Sequence, residues 1–515
     1  MEVSTNPWIW ILMILLLFVA YWYLGGPRNL PPGSAGIPIL GYLPFLDQFS
    51  YKTFKILGQK YGNVFHLYLG SRLVIVLNDY FSIHEAFIKN SDTFSGRPSD
   101  NVFKESTTNN LGLTANDGEY WKQHRRFILN YFKNNGYGKL NLEPIILVEK
   151  PFCNVINLHG ITFLLQDEID HFIKELKNHV GKSFNIKPLL MHTAGNNICI
   201  LATGKRFDYN SPEFRLLIST IFSPKLVPFA SLNSFFPWLV QLPWSDKILK
   251  REKTKKYFDR VNNAVAGVIR SVKHEYVSGQ EGNYIHAFMT ENHKRKQVNE
   301  ADDFFSDLSL LHMSRSLILA GIETTSSTLL YCLLYMTLYP EVQKNVQNEI
   351  DRVIGHERQP SYDDRMQMIY TEATILEIFR KSCVVPLSIP HRCRKTITIG
   401  GHVIPQDVMV IPNIWAIHHD PRLWGDPHTF RPERFIDRGR RIILSEYILP
   451  FSLGKRACVG EPLARMEIFL CFVSLLQHFT FVPPIGEELH LESYPGLTIR
   501  PKCENICAVL REYPF

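Results

Sequence analysis

The sequence predicts a mainly α-helical protein with small β-sheets, preceded by a single N-terminal transmembrane helix. Helical patterns dominate residues 50–515, short runs of β-branched and aromatic residues predict a few strands, and residues 8–24 form an apolar run without a charged side chain. Hydrophobic residues make up 45% of the 515-residue chain and charged residues 20%. These values are near the averages of globular proteins and exclude a disordered or fibrous chain.

The apolar run at residues 8–24 has the features of a membrane anchor. As a helix it would span about 26 Å, close to the thickness of the endoplasmic reticulum bilayer. Aromatic residues lie at both of its ends, as they do at membrane interfaces. The alternative is a cleaved secretory signal, but no Lys or Arg precedes the run and no small-residue cleavage site follows it. Because Arg28 and Lys52 follow the run, we expect an anchor at residues 1–26 with the remaining chain in the cytosol.

The segment after the anchor predicts a stiff tether and then one large domain. Residues 27–49 contain five prolines, which favour a turning hinge over a helix or core strand. Residues 50–515 contain no Pro/Gly/Ser-rich linker, so we predict a single domain there. The nine cysteines are scattered and odd in number, which favours reduced thiols in a cytosolic environment. The net charge of +7 is too small for this length to indicate nucleic-acid binding.

Inside the domain, three patterns predict particular elements. Residues 64–69 (VFHLYL) and 72–77 (RLVIVL) are strand-like, and residues 396–404 (TITIGGHVI) predict a hairpin that turns at Gly400 and Gly401. Residues 306–339 contain one glycine and no proline, which predicts a helix of about 51 Å. Gly321 and several hydroxyl residues interrupt its apolar character, so a buried helix is favoured over a second membrane span.

The segment at residues 451–460 (FSLGKRACVG) carries the strongest chemical signal. Two glycines flank Cys458 just before an amphipathic segment at residues 462–472. Glycines allow the backbone to bend closely around the sulfur, and a helix start, Lys455 and Arg456 would all stabilise a thiolate. A single thiolate on a loop suits an axial ligand of haem iron better than a zinc site. A small buried cysteine of the core is the alternative.

The pattern Phe-x-x-Gly-x-Arg-x-Cys-x-Gly resembles the haem-binding loop of cytochrome P450 enzymes, and each of its defined positions is filled. Four further motifs resemble those of that family: AGIETT at residues 320–325, Glu-x-x-Arg at 377–380, FRPERF at 430–435 and Trp-x-x-x-Arg at 121–125. The hinge, residues 236–243 (FPWLVQLP) and the pair Pro390-His391 look most like microsomal family 2. The resemblance extends from the anchor to near residue 500 and implies the cytochrome P450 fold.

This resemblance implies haem b as the cofactor, with Cys458 as the axial ligand of its iron. The residues implied to contact the haem propionates are Trp121, Arg125, His391, Arg456 and Arg97. A structural triad on the haem side is implied for Glu377, Arg380 and Arg434. Taken alone, the spacing of Glu377 and Arg380 favours an ordinary surface ion pair worth a few tenths of a kcal/mol.

Glu323 and Thr324 match the oxygen-activating motif and are the expected catalytic residues. A thiolate-ligated haem favours O–O cleavage, and the oxygen being reduced must receive protons. An acid and an alcohol in a locally opened helix, together with water, could relay them. A threonine in mid-helix can instead bond the carbonyl four residues earlier, and a lone buried glutamate is normally neutralised or paired.

The function implied is a monooxygenase that inserts one oxygen atom from O2 into a lipophilic small molecule. Electrons would come from an NADPH-dependent cytochrome reductase, with cytochrome b5 as a second candidate donor and the endoplasmic reticulum membrane as the location. A basic docking face is predicted at Lys122, Arg125, Arg126, Arg438, Arg440, Arg441 and Lys455, with a solvated surface as the alternative. The functional alternatives are a haem-thiolate isomerase or dehydratase of lipid peroxides and a haem-binding protein without turnover.

The sequence does not decide the structure of two segments. Residues 226–244 are apolar, aromatic and broken by prolines, and they could belong to the core or dip into the membrane. Residues 151–163 interrupt an expected helix and predict an inserted loop or an error in the gene model. The resemblance places the substrate pocket at residues 101–120, 207–244, 313–325, 383–389 and 496–497, without identifying a substrate.

Overall fold

The structure is a computed structural model that describes most of the chain. The described residues are 8, 10, 11, 13, 29–98, 112–135, 156–221, 235–242, 244, 245, 247, 251–277, 282–298 and 304–512. Most of the predicted anchor therefore lies outside the described residues. The remainder is mainly helical with small sheets, which confirms the predicted fold class.

The helices form most of the domain and vary from one turn to nine. In chain order they are α1 (Ser50–Tyr61), α2 (Tyr80–His84), α3 (Gly118–Asn134), α4 (Ile156–Lys177), α5 (Lys187–Thr203), α6 (Pro212–Ile221), α7 (Arg251–Lys273), α8 (Tyr284–Gln297), α9 (Asp307–Leu338), α10 (Pro340–Val353), α11 (Ile369–Ser382), α12 (Ile414–His418), α13 (Pro421–Trp424) and α14 (Glu461–His478). Short 3-10 turns at Pro432–Phe435 and Gly454–Arg456 lie between α13 and α14.

The strands are short and form small sheets at the edges of the helical body. They are β1 (Gly33–Ser34), β2 (Val64–Leu69), β3 (Arg72–Leu77), β4 (Ser183–Asn185), β5 (His391–Arg392), β6 (Ile397–Ile399), β7 (His402–Ile404), β8 (Met409–Pro412), β9 (Phe479–Val482), β10 (Ser493–Tyr494), β11 (Arg500–Pro501) and β12 (Asn505–Leu510). The largest sheet has the order β1-β2-β3-β8-β5, and a second has the order β4-β12-β9.

The predicted strands are confirmed. β2 and β3 occupy the expected residues and pair antiparallel, with Val64 opposite Leu77. β6 and β7 form the expected hairpin, and its turn residues Gly400 and Gly401 have φ of +56° and +82°. These left-handed conformations favour glycine, which is why two adjacent glycines form this turn.

The central helix α9 organises the core. Ser306 caps it by accepting a hydrogen bond from the Ser309 N–H, and the helix ends just before Pro340 because proline cannot continue it. Within the described ranges, α9 is the one helix long and apolar enough to cross a membrane, and 72% of that window lies inside the protein. This burial supports the prediction of a core helix over a second span.

Two segments differ from the sequence expectations. Residues 156–163, which we expected to break a helix, form the first turns of α4, while residues 151–155 lie outside the described part. The proline-rich hinge contributes the edge strand β1, which pairs in parallel with β2. Gly33 allows this approach, since a Cβ there would lie 2.1 Å from the His66 carbonyl oxygen.

Candidate haem-thiolate site

The loop that carries Cys458 is shaped by backbone contacts. Gly454 has φ of +73°, and a Cβ on it would lie 1.9 Å from the carbonyl oxygen of Phe87, so only glycine fits there. The Cys458 N–H donates to the carbonyl oxygen of Phe451 at 2.9 Å and closes the loop. Glu461 begins α14 three residues after the cysteine. The helix is buried on most sides, so the amphipathic pattern expected at residues 462–472 is wrong.

The Cys458 side chain is accessible to solvent, yet the surrounding protein raises the pKa of its thiol through burial. The N–H groups of Gly460 and Glu461, together with the charge of Arg125, act against the rise and favour a thiolate. We expected Lys455 and Arg456 in this role, but Lys455 pairs with Asp92 instead.

The predicted triad is assembled and buried. Arg380 contacts Glu377 through two hydrogen bonds, with Nε to Oε2 at 2.7 Å and Nη2 to Oε1 at 2.8 Å. Arg434 Nε donates to Glu377 Oε1 at 3.1 Å. The side chains of Glu377 and Arg380 are 0% exposed and that of Arg434 is 5% exposed. The alternative of an exposed surface pair is therefore wrong.

The triad connects α11 to the cysteine loop through its neighbours. Arg380 Nη1 donates to the carbonyl oxygen of His418 at 2.6 Å, and His418 Nε2 accepts from the Leu449 N–H at 2.9 Å. Leu449 lies two residues before Phe451, whose ring is 5.7 Å from that of Phe379 on α11. The buried triad therefore fixes the backbone that leads into the cysteine loop.

Three basic residues converge beside the loop. Arg125 Nη2 donates to the carbonyl oxygen of Ala457, directly before Cys458, at 2.8 Å. The guanidinium of Arg456 lies 3.7 Å from the centre of the Trp121 ring, a cation–π contact. Burial, together with the charges of Arg97 and Arg125, lowers the pKa of Arg456 to about 8.

Arg97 and His391 lie on the same side of the loop. Arg97 donates to the carbonyl oxygens of Ile389 and Pro390 at 3.0 and 2.9 Å, and burial lowers its pKa to about 9. His391 Nδ1 lies 2.7 Å from the carbonyl oxygen of Phe94, and burial holds the pKa of its imidazole well below 6.5. Arg97 and His391 are thus both fixed by backbone carbonyl oxygens beside the loop.

Glu323 and Thr324 of α9 form hydrogen bonds with different partners. Thr324 Oγ1 donates to the carbonyl oxygen of Ala320 at 2.7 Å, while Glu323 Oε1 accepts from Thr498 Oγ1 at 3.0 Å. The helix is unbroken here, so the expected local opening is wrong. Ala320 is nevertheless exposed within a mostly buried helix. The close approach at Gly321 is to Ile198 of α5, 3.2 Å from where a Cβ would lie.

Comparison with known proteins agrees with this geometry. The family model described as Cytochrome P450 matches residues 31–508. The chain is 33% identical to cytochrome P450 2U1 of Bos taurus, covering 93% of this chain and 89% of the relative. It is 34% identical to cytochrome P450 2J2 of Homo sapiens, covering 94% and 92%. This chain belongs to the cytochrome P450 family. It is a family 2-like, haem-thiolate monooxygenase, and therefore an oxidoreductase.

The described residues of this P450 fit a haem with two carboxylate side chains. Three guanidiniums, those of Arg97, Arg125 and Arg456, are gathered in a buried region. The charge of Arg125 lowers the pKa of Arg97, and the charges of Arg97 and Arg125 lower the pKa of Arg456. In the part of the chain that the structure describes, the buried atoms Arg456 Nη1 and His391 Nε2 have no hydrogen-bond partner. Two anionic groups placed among them would neutralise the repulsion and accept a hydrogen bond from Arg456 Nη1, and they would favour a protonated His391, whose Nε2 could then donate to them as well.

Some features of this P450 site were not predicted from sequence. Thr498 lies 175 positions from Glu323 along the chain, and no local pattern connects the two. Asp117 joins the basic cluster. Burial alone would raise its pKa, but hydrogen bonds from Arg392 and from the backbone of Arg97 hold it below 3.8. The eight described cysteines are all free.

Proposed function

We propose that this P450 inserts one oxygen atom from O2 into a C–H or C=C bond of a lipophilic small molecule. The observation that carries the proposal is the accessible thiol of Cys458 on a glycine-shaped loop, next to a buried cluster of cations. NADPH would supply the electrons through a separate cytochrome reductase. A haem bound to a thiolate supplies the oxygen activation that this reaction requires.

Different residues of this chain would bind the haem and deliver protons. Cys458 would ligate the haem iron, and Arg125 would stabilise the thiolate from its contact at Ala457. Arg97, Arg456, His391 and the Trp121–Arg125 face of α3 would hold the propionates. The Glu377–Arg380–Arg434 triad would keep the loop in place without touching the haem.

Glu323 and Thr324 would relay protons from the central helix. Glu323 would do so through Oε2, because its Oε1 is engaged by Thr498. Thr324 would pass protons by exchanging its hydrogen bond to Ala320 for one to water. Since the two side chains share no hydrogen bond with each other in the described structure, the proposed relay needs a bridging water.

The reductase would dock on basic residues near the loop. Lys122, Arg126, Arg438, Arg440, Arg441 and Lys455 are exposed. Arg125 is half-buried against Ala457, so we remove it from the predicted docking face. The face should attract an acidic partner, with cytochrome b5 as a second candidate. Two results together would contradict this docking. Coupling to the reductase would not depend on salt concentration, and charge reversal at Arg440 and Arg441 would leave turnover unaltered.

The proposed location is the endoplasmic reticulum membrane, with residues 1–26 as the anchor, residues 27–49 as the hinge and residues 50–515 as a cytosolic catalytic domain. The apolar character of residues 8–24 supports the anchor. Exposed Trp238 and Trp244, in the segment for which the sequence left core and membrane open, support membrane contact by that segment. Protease protection in microsomes, compared between the full chain and one lacking residues 1–26, tests this topology.

The reaction is tested with isotopically labelled dioxygen. The full-length protein, reconstituted with NADPH and reductase, is supplied with a panel of lipophilic compounds chosen by their displacement of the iron-bound water. The proposal predicts one labelled oxygen atom per product molecule and a strict requirement for reductase. Reductase-independent conversion of a lipid peroxide without incorporation of label would instead indicate an isomerase or dehydratase. Haem binding without any product would indicate a non-catalytic protein.

A further inference from the structure

The carboxylate of Glu323 is held by the carboxyl-terminal part of the chain. Thr498 Oγ1 donates to Glu323 Oε1 at 3.0 Å, and both side chains are half-buried. The next residue, Ile499, is buried, and its N–H donates to the carbonyl oxygen of Val384 at 2.9 Å. Thr498 therefore lies on a backbone that is fixed to the segment following α11.

Thr498 also adjoins a turn that the family resemblance places in the substrate pocket. Gly496 and Leu497 directly precede it, and Leu497 is 42% exposed. A Cβ on Gly496 would lie 2.8 Å from the Thr498 carbonyl oxygen, so the turn is tight. One hydroxyl thus connects a substrate-facing turn with the acid of the central helix.

A buried lysine lies near the same carboxylate. The Lys187 ammonium contacts Glu504 Oε1 at 2.9 Å, with its side chain 5% exposed. Burial lowers the pKa of Lys187, whereas the negative charges of Glu504 and Glu323 act in the opposite direction. Its positive charge therefore attracts the Glu323 carboxylate. Lys187 is the first residue of α5, and its partner Glu504 directly precedes β12.

We propose that Thr498 is a positioning residue that orients Glu323 for proton delivery and links the substrate-facing turn to coupling efficiency. The proposal rests on the proposed function. In the coupled reaction, substrate RH, O2, NADPH and H⁺ give ROH, water and NADP⁺. In the uncoupled reaction, O2, NADPH and H⁺ give hydrogen peroxide and NADP⁺, and the substrate C–H bond stays intact.

Fixing Oε1 restricts how the acid can present its proton. With Oε1 engaged, Glu323 presents Oε2 in one direction. Without the Thr498 hydroxyl, the Glu323 side chain can rotate, and the positive charge of Lys187 attracts it. Proton transfer depends on donor geometry, so a misdirected acid delays delivery and allows peroxide to leave.

The test compares Thr498→Val, which removes the hydroxyl at nearly constant volume, with Thr498→Ser, which retains it. The matched control is Ser493→Ala, because Ser493 Oγ lies 2.6 Å from Tyr331 Oη and joins the same two parts of the chain without contacting Glu323. Product and peroxide formed per NADPH are measured in the reconstituted full-length protein. The C–O stretching band of the carbon monoxide complex is recorded as a readout that does not depend on turnover.

We expect Thr498→Val to lower product per NADPH several-fold, raise peroxide correspondingly and shift the C–O band. Thr498→Ser should restore wild-type values, and Ser493→Ala should leave both readouts unchanged. Unaltered partition in Thr498→Val, failure of Thr498→Ser to restore it, or an equal loss in Ser493→Ala would overturn the role of Thr498. A wild-type protein without a thiolate-type carbon monoxide complex would overturn the proposed function as well.

Discussion

Replacing Glu377 by Gln should strongly destabilise the fold, because it removes the negative charge between two buried guanidiniums. The carboxylate accepts from Arg380 through two nitrogens, from Arg434 Nε and from the Arg431 N–H at 3.0 Å. Breaking a buried ion pair by removing one partner costs about 3–5 kcal/mol. Two cations share this carboxylate, so we expect a loss at the upper end of that range, about 5 kcal/mol.

Urea unfolding of the haem-loaded protein, followed by far-ultraviolet circular dichroism, measures this loss. The midpoint should fall without a change in the denaturant slope. Glu252→Gln is a suitable control, since Glu252 forms an ion pair with Lys256 while 80% exposed and should show no measurable change. If Glu377→Gln were no less stable than this control, the triad would not be a structural support of the loop.

Three further predictions concern pH, haem retention and coupling. Burial raises the pKa of Glu467 to about 8, so the folded protein keeps a proton that the unfolded chain releases above its ordinary value of 4.5. The free energy of unfolding should therefore fall as pH rises through this window, and Glu467→Gln should make that fall smaller in urea titrations. Arg456→Gln should accelerate haem transfer to apomyoglobin because a propionate contact is lost, whereas Lys455→Gln should not; equal rates would contradict the assignment. Thr324→Ala should retain haem but convert more NADPH into peroxide, and unchanged coupling would remove Thr324 from the proton relay.

The sequence was sufficient for features that depend on local pattern or strong family motifs. The runs of β-branched and aromatic residues at 64–69 and 72–77 predicted β2 and β3, most of whose residues are buried. The absence of proline between Ser306 and Tyr339 predicted α9 to within one residue at each end. The motif residues Glu377, Arg380 and Arg434 were assigned together, and the structure brings them into contact.

Features that depend on long-range packing could not be predicted from the sequence. Thr498 reaches Glu323 only because the carboxyl-terminal strands fold back beside the central helix. Arg125 was placed on a docking face from its charge, but α3 turns it toward Ala457. Residues 156–163 were read as a break, yet they extend α4. In each case the tertiary environment decides the outcome, and a local pattern carries no information about it.

The most direct test of the account is the absorbance spectrum of the reduced full-length protein with carbon monoxide. If Cys458 ligates the haem iron, the Soret band should show the red-shifted position of a thiolate complex. Cys458→Ser should lose that band, while Cys503→Ser should keep it, since Cys503 lies in the loop between β11 and β12, where its Sγ accepts from the His490 N–H. A histidine-type spectrum, an absence of haem, or a thiolate-type band that persists in Cys458→Ser would contradict the central claim.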